Sequence, residues 1–256
     1  MGSATVDVHA NPRRLHILGV TLCIFILWNG VCDLIYGYSS TMSGRDYFSP
    51  AVIDMIVSAE GRSHGVMLLA QTAGWLYPFY AFYAYVMWVG MRRAGFWMAH
   101  VPCGLIAYAI LMIGGIQHCG WAFLTVPSQA ARLVGSTDNV FYDTTQRYIA
   151  DHFFMGDLTA VLALNLGCVW QAVAVASGRT SFPRWFVAVS PLGALVISSL
   201  IGLCLPAPLA GLVLAPFGTW IMLVPCLSCT VWMWNRVGET TPGGPEVEAV
   251  AKGQTV

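Results

Sequence analysis

Charge is what this sequence has least of. Only 9% of its 256 residues are Asp, Glu, Lys or Arg, against about 25% in an ordinary soluble domain. Lysine is almost missing, Lys252 near the C-terminal end being the single example. A retinal-type Schiff base inside a helical bundle is therefore excluded, and so is a phosphate loop of the Walker type, which ends its glycine-rich turn on a lysine. The sequence also has no His-Glu-x-x-His element and no Gly-x-Ser-x-Gly elbow, the signatures of many zinc peptidases and serine hydrolases. Formal net charge is zero and the arginines are scattered, so there is no basic patch for nucleic acid.

Apolar residues fill the space that charge leaves. They make up 57% of the chain and fall into six runs, at about 15–37, 64–90, 96–122, 149–176, 184–205 and 209–234. Each is close to the roughly 20 residues that cross a bilayer core. The pattern predicts an all-α integral membrane protein, a polytopic bundle of six transmembrane helices. The first run follows Arg13 and Arg14 as a signal peptide would. It exceeds the usual apolar core of about 7–15 residues and lacks a clear small-residue cleavage site, so it reads as a retained helix. Segments 39–62 and 127–148 are too polar to be spans. Their residual apolar spacing, as in Tyr47, Phe48, Val52, Ile53, Ile56 and Val57, suits short interfacial helices in the two outer loops.

Arginine placement orients the six runs. Arg13 and Arg14, Arg92 and Arg93, Arg179 and Arg184, and Arg236 all fall on one side of a six-span chain, which the positive-inside rule makes the cytoplasm. The opposite loops mix Arg45, Arg62, Arg132 and Arg147 with acidic residues. The expected organisation is a cytoplasmic N-terminal segment 1–14, one transmembrane domain 15–236 and a flexible cytoplasmic tail 237–256. Glycine and proline inside the runs, among them Pro78, Pro191, Pro206, Pro208, Pro216 and Pro225, are read as sites of close helix approach and of kinks.

With that orientation, the polar residues inside the runs gather in the non-cytoplasmic half. Asn29 and Asp33 lie one turn apart in the first run. His64 and Gln71 open the second, Gln117 and His118 lie near the outer end of the third, and His152 and Asp157 begin the fourth. An aspartate in hydrocarbon costs a few kcal/mol on insertion scales and commonly marks a site or pathway. The same residues also serve as interhelical fasteners. Either use requires partners, so an outer-half hydrogen-bond network is expected in both.

His64, His118 and His152 with Asp33 and Asp157 are the nearest approach to a transition-metal set, but nothing in their spacing makes them converge. Two of the histidines could hold a haem iron, although no Cys-x-x-Cys-His attachment motif accompanies them. Haem and a transition metal stay as secondary alternatives, and no cofactor is expected. The eight cysteines, Cys226-Leu-Ser-Cys229 included, read as small buried packing groups.

Aromatic density suggests a use for the acids. Gly74–Tyr85 is rich in rings, with Trp75 and Phe79 continuing a stripe below Gln71, and Trp121 adds another near the same depth. Much of this is ordinary membrane packing. Read functionally, an acid in an apolar, ring-lined cavity can protonate an alkene or epoxide while ring faces stabilise the resulting cation. His118 or His152 would then take up the final proton. The function expected is that of an acid–base cyclase or double-bond isomerase acting on an isoprenoid or sterol-like lipid. Asp33, Asp157, His118 and His152 would be catalytic, with Asn29, His64, Gln71, Trp75, Phe79, Gln117 and Trp121 lining the substrate. The alternatives are a small-solute or proton-coupled transporter and a haem- or lipid-binding membrane protein. A hydrophobic small molecule and membrane lipids are the expected partners, and no feature identifies a protein partner.

Overall fold

A computed structural model describes residues 12–49, 63–114, 134–135 and 140–237, with the side chains of residues 12, 64, 141–142, 145–146, 148–150, 152–157 and 233–237 left aside. Every regular element in it is helical. Helix α1 spans Pro12–Gly37 and α2 is a single turn at Gly44–Tyr47. Helix α3 covers His64–Met91, α4 covers Phe96–Met112 and α5 covers Val140–Ala176. Helix α6 runs Pro191–Cys204, α7 is the short Leu209–Leu214, and α8 is Phe217–Val237.

Local chemistry accounts for the boundaries. The Ser63 hydroxyl accepts from the Val66 amide to start α3, and Ser190 does the same for Gly193 at α6, where Pro191 takes a position whose amide has no helical partner. Gly95, at φ 89°, adopts a positive-φ backbone open to glycine that turns the chain from the 3₁₀ turn Arg92–Ala94 into α4. Pro78, Pro102 and Pro225 sit inside α3, α4 and α8. The fifth and sixth apolar runs are subdivided. The fifth is a 3₁₀ segment, Arg184–Val189, followed by α6, and the sixth is α7 followed by α8. Pro191 therefore begins a helix rather than kinking one, and Pro206, Pro208 and Pro216 lie in the connections. The fourth helix starts at Val140, nine residues ahead of the apolar run, so the polar stretch before 149 is a helical extension. Of the outer-loop helices expected from spacing, α2 is described, whereas residues 50–62 lie outside the described part.

The six longer helices close into a ring. Helix α3 packs between α1 and α4, α4 against α5, α5 against α6, α6 against α8, and α8 against α1. The α1–α8 seam is built on glycine: Gly19 faces Thr230 and Gly30 faces Thr219, in antiparallel register, and Gly37 at the end of α1 faces Ala215 in the connection that leads into α8. Small residues at such a seam let two backbones approach closely.

Both faces of most helices are apolar. Helix α1 buries Leu22, Ile26 and Cys32 while exposing Ile17, Val20, Ile24, Leu27 and Val31. Helix α5 exposes Leu158, Leu162, Leu166, Val169 and Val173, and α6 exposes Val196, Ile197, Leu200, Ile201 and Leu203. Several polar groups go inward instead: Asn29, Asp33, Gln171, Ser198, Thr219 and Thr230 are all buried. Among the described residues, Arg13–Gly37 and Leu158–Ala176 are long and apolar enough to cross a membrane. Phe96–Met112, Pro191–Cys204 and Phe217–Trp232 are shorter apolar helices. The described residues are thus all-helical with a largely apolar exterior, and two of their helices meet the length and apolarity of a full span.

Candidate functional site

The i, i+4 spacing of Asn29 and Asp33 puts both on the face of α1 that meets α8. Asn29 Nδ2 donates to Asp33 Oδ2 at 2.8 Å and to Thr219 Oγ1 at 3.0 Å. The Thr219 hydroxyl in turn donates to Asp33 Oδ2 at 2.9 Å. Asn29 is fully buried, Thr219 almost so, and Asp33 keeps 4% of its surface accessible. This triangle explains how a carboxyl is accommodated among apolar helices, because two donors converge on one of its oxygens. Gly30 makes it feasible: a Cβ there would stand 3.0 Å from Thr219 Cγ2, pressing apart the helices that carry the triangle.

Beside the triangle is a cavity of about 270 Å³. Asp33 of α1 and Tyr77 of α3 form one wall, Ile113 closes it at the end of α4, and Val161, Leu164, Asn165 and Cys168 line it from α5. Leu195 of α6 and Phe217, Gly218 and Ile221 of α8 complete it, so all six longer helices contribute. Asp33 is its one acidic side chain among the described residues. Tyr77 is buried next to Asn29 and Asp33 and stacks edge-on with Tyr80 at 4.8 Å. Its ring lies over Gly114, where any side chain would overlap it. The first glycine of Gly114-Gly-Ile-Gln-His-Cys-Gly-Trp121 is therefore space for a cavity-lining tyrosine.

The residues expected from sequence divide into three groups. Asn29 and Asp33 bond to each other, but of the two only Asp33 lines the cavity, Asn29 being fully buried behind it. Trp75 and Phe79 do not line it: Trp75 is 66% exposed and Phe79 is half exposed, packing edge-on against Phe25 on the outer surface. Helix α3 turns Ala70, Ala73, Tyr77, Tyr80, Ala84 and Met87 inward, so a stripe offset by two residues faces out. Gln71 is half-buried on α3. The third group lies outside the description. Gln117, His118 and Trp121 fall among undescribed residues, and His64, His152 and Asp157 have a described backbone only. His64 opens α3, and Asp157 occupies the α5 position one turn before the cavity residue Val161.

Thr219 and Tyr77 are site residues that sequence reading passed over. Thr219 is an isolated hydroxyl in an apolar run, and its signal was the unanswered need of Asp33 for a donor. Tyr77 was hidden in a segment where nearly every position carries a ring. Among the described residues, no three His, Cys, Asp or Glu side chains are placed to share a metal ion. The described histidines serve elsewhere, His16 beside the Thr230 carbonyl and His100 against Trp88 and Phe96.

Chemically, the arrangement is a carboxyl held by two donors on Oδ2 and opening on an apolar space, with a phenol nearby. No protein-family model, curated protein or solved structure matches this chain.

Proposed function

We propose that the protein is an integral-membrane acid–base enzyme, a cyclase or double-bond isomerase acting on an isoprenoid or sterol-like lipid, with Asp33 as its proton donor. The observation that carries this reading is the Asp33 carboxyl at an apolar cavity bounded by all six longer helices. The apolar exterior and the inward polar groups support a membrane location for the whole bundle, its six longer helices crossing the bilayer. Both termini then face the cytoplasm, following the arginine distribution.

At about 270 Å³, the cavity sits at the lower edge of ligand pockets, which run from about 300 to 1,000 Å³. It would take the reacting end of a lipid while the tail passes between helices. With both donors addressing Oδ2, the acidic proton is carried on Oδ1. Transfer to an alkene carbon breaks that O–H bond, forms a C–H bond and leaves a carbocation. The Tyr77 ring face stabilises the positive charge. Loss of a proton from a neighbouring carbon restores the double bond at a new position; it returns to Asp33 directly, or to a base such as His118 or His152 that then hands a proton back to Asp33. Asp157, one turn from Val161 on α5, is the second carboxyl in this scheme.

The test is a comparison of total lipid extracts from cells carrying the wild-type protein or Asp33→Asn, matched for folded protein. A lipid isomer present only with the wild type, with its precursor accumulating in the variant, is the expected result. Identical extracts would reject the enzyme. Asp33-dependent movement of a solute into sealed vesicles, with no chemical change, would replace it by a carrier.

A further inference from the structure

Sulfur gathers in the other half of the bundle, towards the start of α1 and the end of α8. Cys226 and Cys229 lie one turn apart on α8, both buried. Cys229 Sγ stands 3.1 Å from the thioether sulfur of Met87 on α3, which is also fully buried. Cys226 shares a side-chain hydrogen bond with Cys23 of α1. On the next turn of α3, Met91 meets the Cys103 thiol of α4 at 4.0 Å. Four helices thus bring thiols and thioethers against one another. Small thiols serve anywhere in an apolar core, and simple packing gives no reason for each of these to meet another sulfur.

We propose that Cys229, Met87 and Cys226 form a binding site for a soft monovalent metal ion, Cu(I). Thiolate and thioether donors select this ion, whereas Mg²⁺ and Ca²⁺ require oxygen ligands. A structural Zn²⁺ takes four nitrogen or sulfur ligands, and no three His, Cys, Asp or Glu side chains among the described residues are placed to supply them. A low-coordinate ion needs only the pair at Cys229 and Met87 with Cys226 beside it. Charge points the same way. One thiolate cancels one Cu(I), so the loaded site is neutral in an interior where an uncompensated charge is costly. On binding, the Cys229 S–H bond breaks, an S–Cu bond forms, Met87 contributes a lone pair, and the copper stays in its +1 state. The released proton is taken up by the buffer, so binding should tighten as pH rises.

The full-length protein, reduced and kept anaerobic in detergent, is titrated with Cu(I) against bicinchoninate as competing chelator. One tightly held copper with an all-sulfur shell by X-ray absorption is the expected result. Cys229→Ser and Met87→Leu should each weaken it about tenfold or more, and Cys204→Ser, at an exposed thiol outside the cluster, should leave it unchanged. Failure of the wild type to retain copper, a nitrogen or oxygen shell, or wild-type affinity in both variants would overturn the site. Should Cys229→Ser not fold, Met87→Leu conserves volume and decides the matter. None of these readouts depends on Asp33 or on any lipid chemistry.

Discussion

The Thr219 hydroxyl and the Asp33 carboxyl, 186 residues apart in the chain, meet at 2.9 Å and join the last long helix to the first. Thr219→Val keeps the shape of the side chain and removes the donor. A buried polar group losing a partner costs about 1–3 kcal/mol, so the variant should unfold at lower temperature in detergent. Thr219→Ser, which restores the hydroxyl, should recover most of the loss. Equal stability of Val and Ser variants would show that this bond does not tie the helices.

Asp33→Asn can place its carbonyl oxygen where Oδ2 now accepts from Asn29 and Thr219, keeping both bonds while abolishing the acidic proton. Folded yield should therefore hold, and turnover of the proposed lipid substrate should fall by about 10² or more, the usual contribution of a general acid. Full turnover in this variant would remove Asp33 from the chemistry.

Gly114→Ala should disturb the cavity from a distance, because the new methyl overlaps the Tyr77 ring and drives it from its place. Gly104→Ala, within α4, meets nothing within 4 Å and serves as the control. Turnover and product ratio, measured together, should change for the first and not for the second. By the same geometry Tyr77→Leu should alter products more than Trp75→Leu, since Trp75 lies on the outer surface.

Cysteines introduced at Val134 and Arg179, with the native thiols replaced, should be labelled from opposite sides of sealed vesicles. The two positions flank α5, whose Leu158–Ala176 portion is apolar enough to cross a membrane. Labelling of both from one side would remove the proposed topology.

The α2 turn carries a modest pH response. Ser43 donates to Asp46 Oδ2 through its amide at 2.8 Å and through its hydroxyl at 2.7 Å, and these bonds hold the Asp46 carboxyl below its usual range. A depressed carboxyl stabilises the fold above its unfolded-state pKa, and that contribution is lost as pH falls through the folded value. Hydrogen-exchange protection at residues 43–49, relative to the intrinsic rate at each pH, should therefore fall on acidification below about pH 4, and Ser43→Ala should flatten the response.

Much of this architecture is legible in the sequence because its causes are local. Long apolar runs with few charges form helices wherever they fall, although Pro191, expected to kink the fifth run, instead begins α6 behind the Ser190 cap. The Asn29–Asp33 pair follows from helical periodicity alone. Periodicity could not choose the inward face of α3, since apolar and aromatic residues surround that helix: Trp75 and Phe79 went to the exterior and Tyr77 and Tyr80 to the core. That choice depends on which stripe fits against α1 and α4, a property of neighbouring surfaces. Thr219 as the second donor to Asp33, and Met87 against Cys229, depend on α8 closing the ring beside α1 and α3. Contacts across such sequence distances leave no spacing rule in a single chain. The sequence by itself determined which segments are helical and which polar groups need partners, because those costs belong to each residue and its nearest turn. Only the tertiary structure decided which partners answer them, because that is set by how six helices with similar apolar faces pack around one cavity.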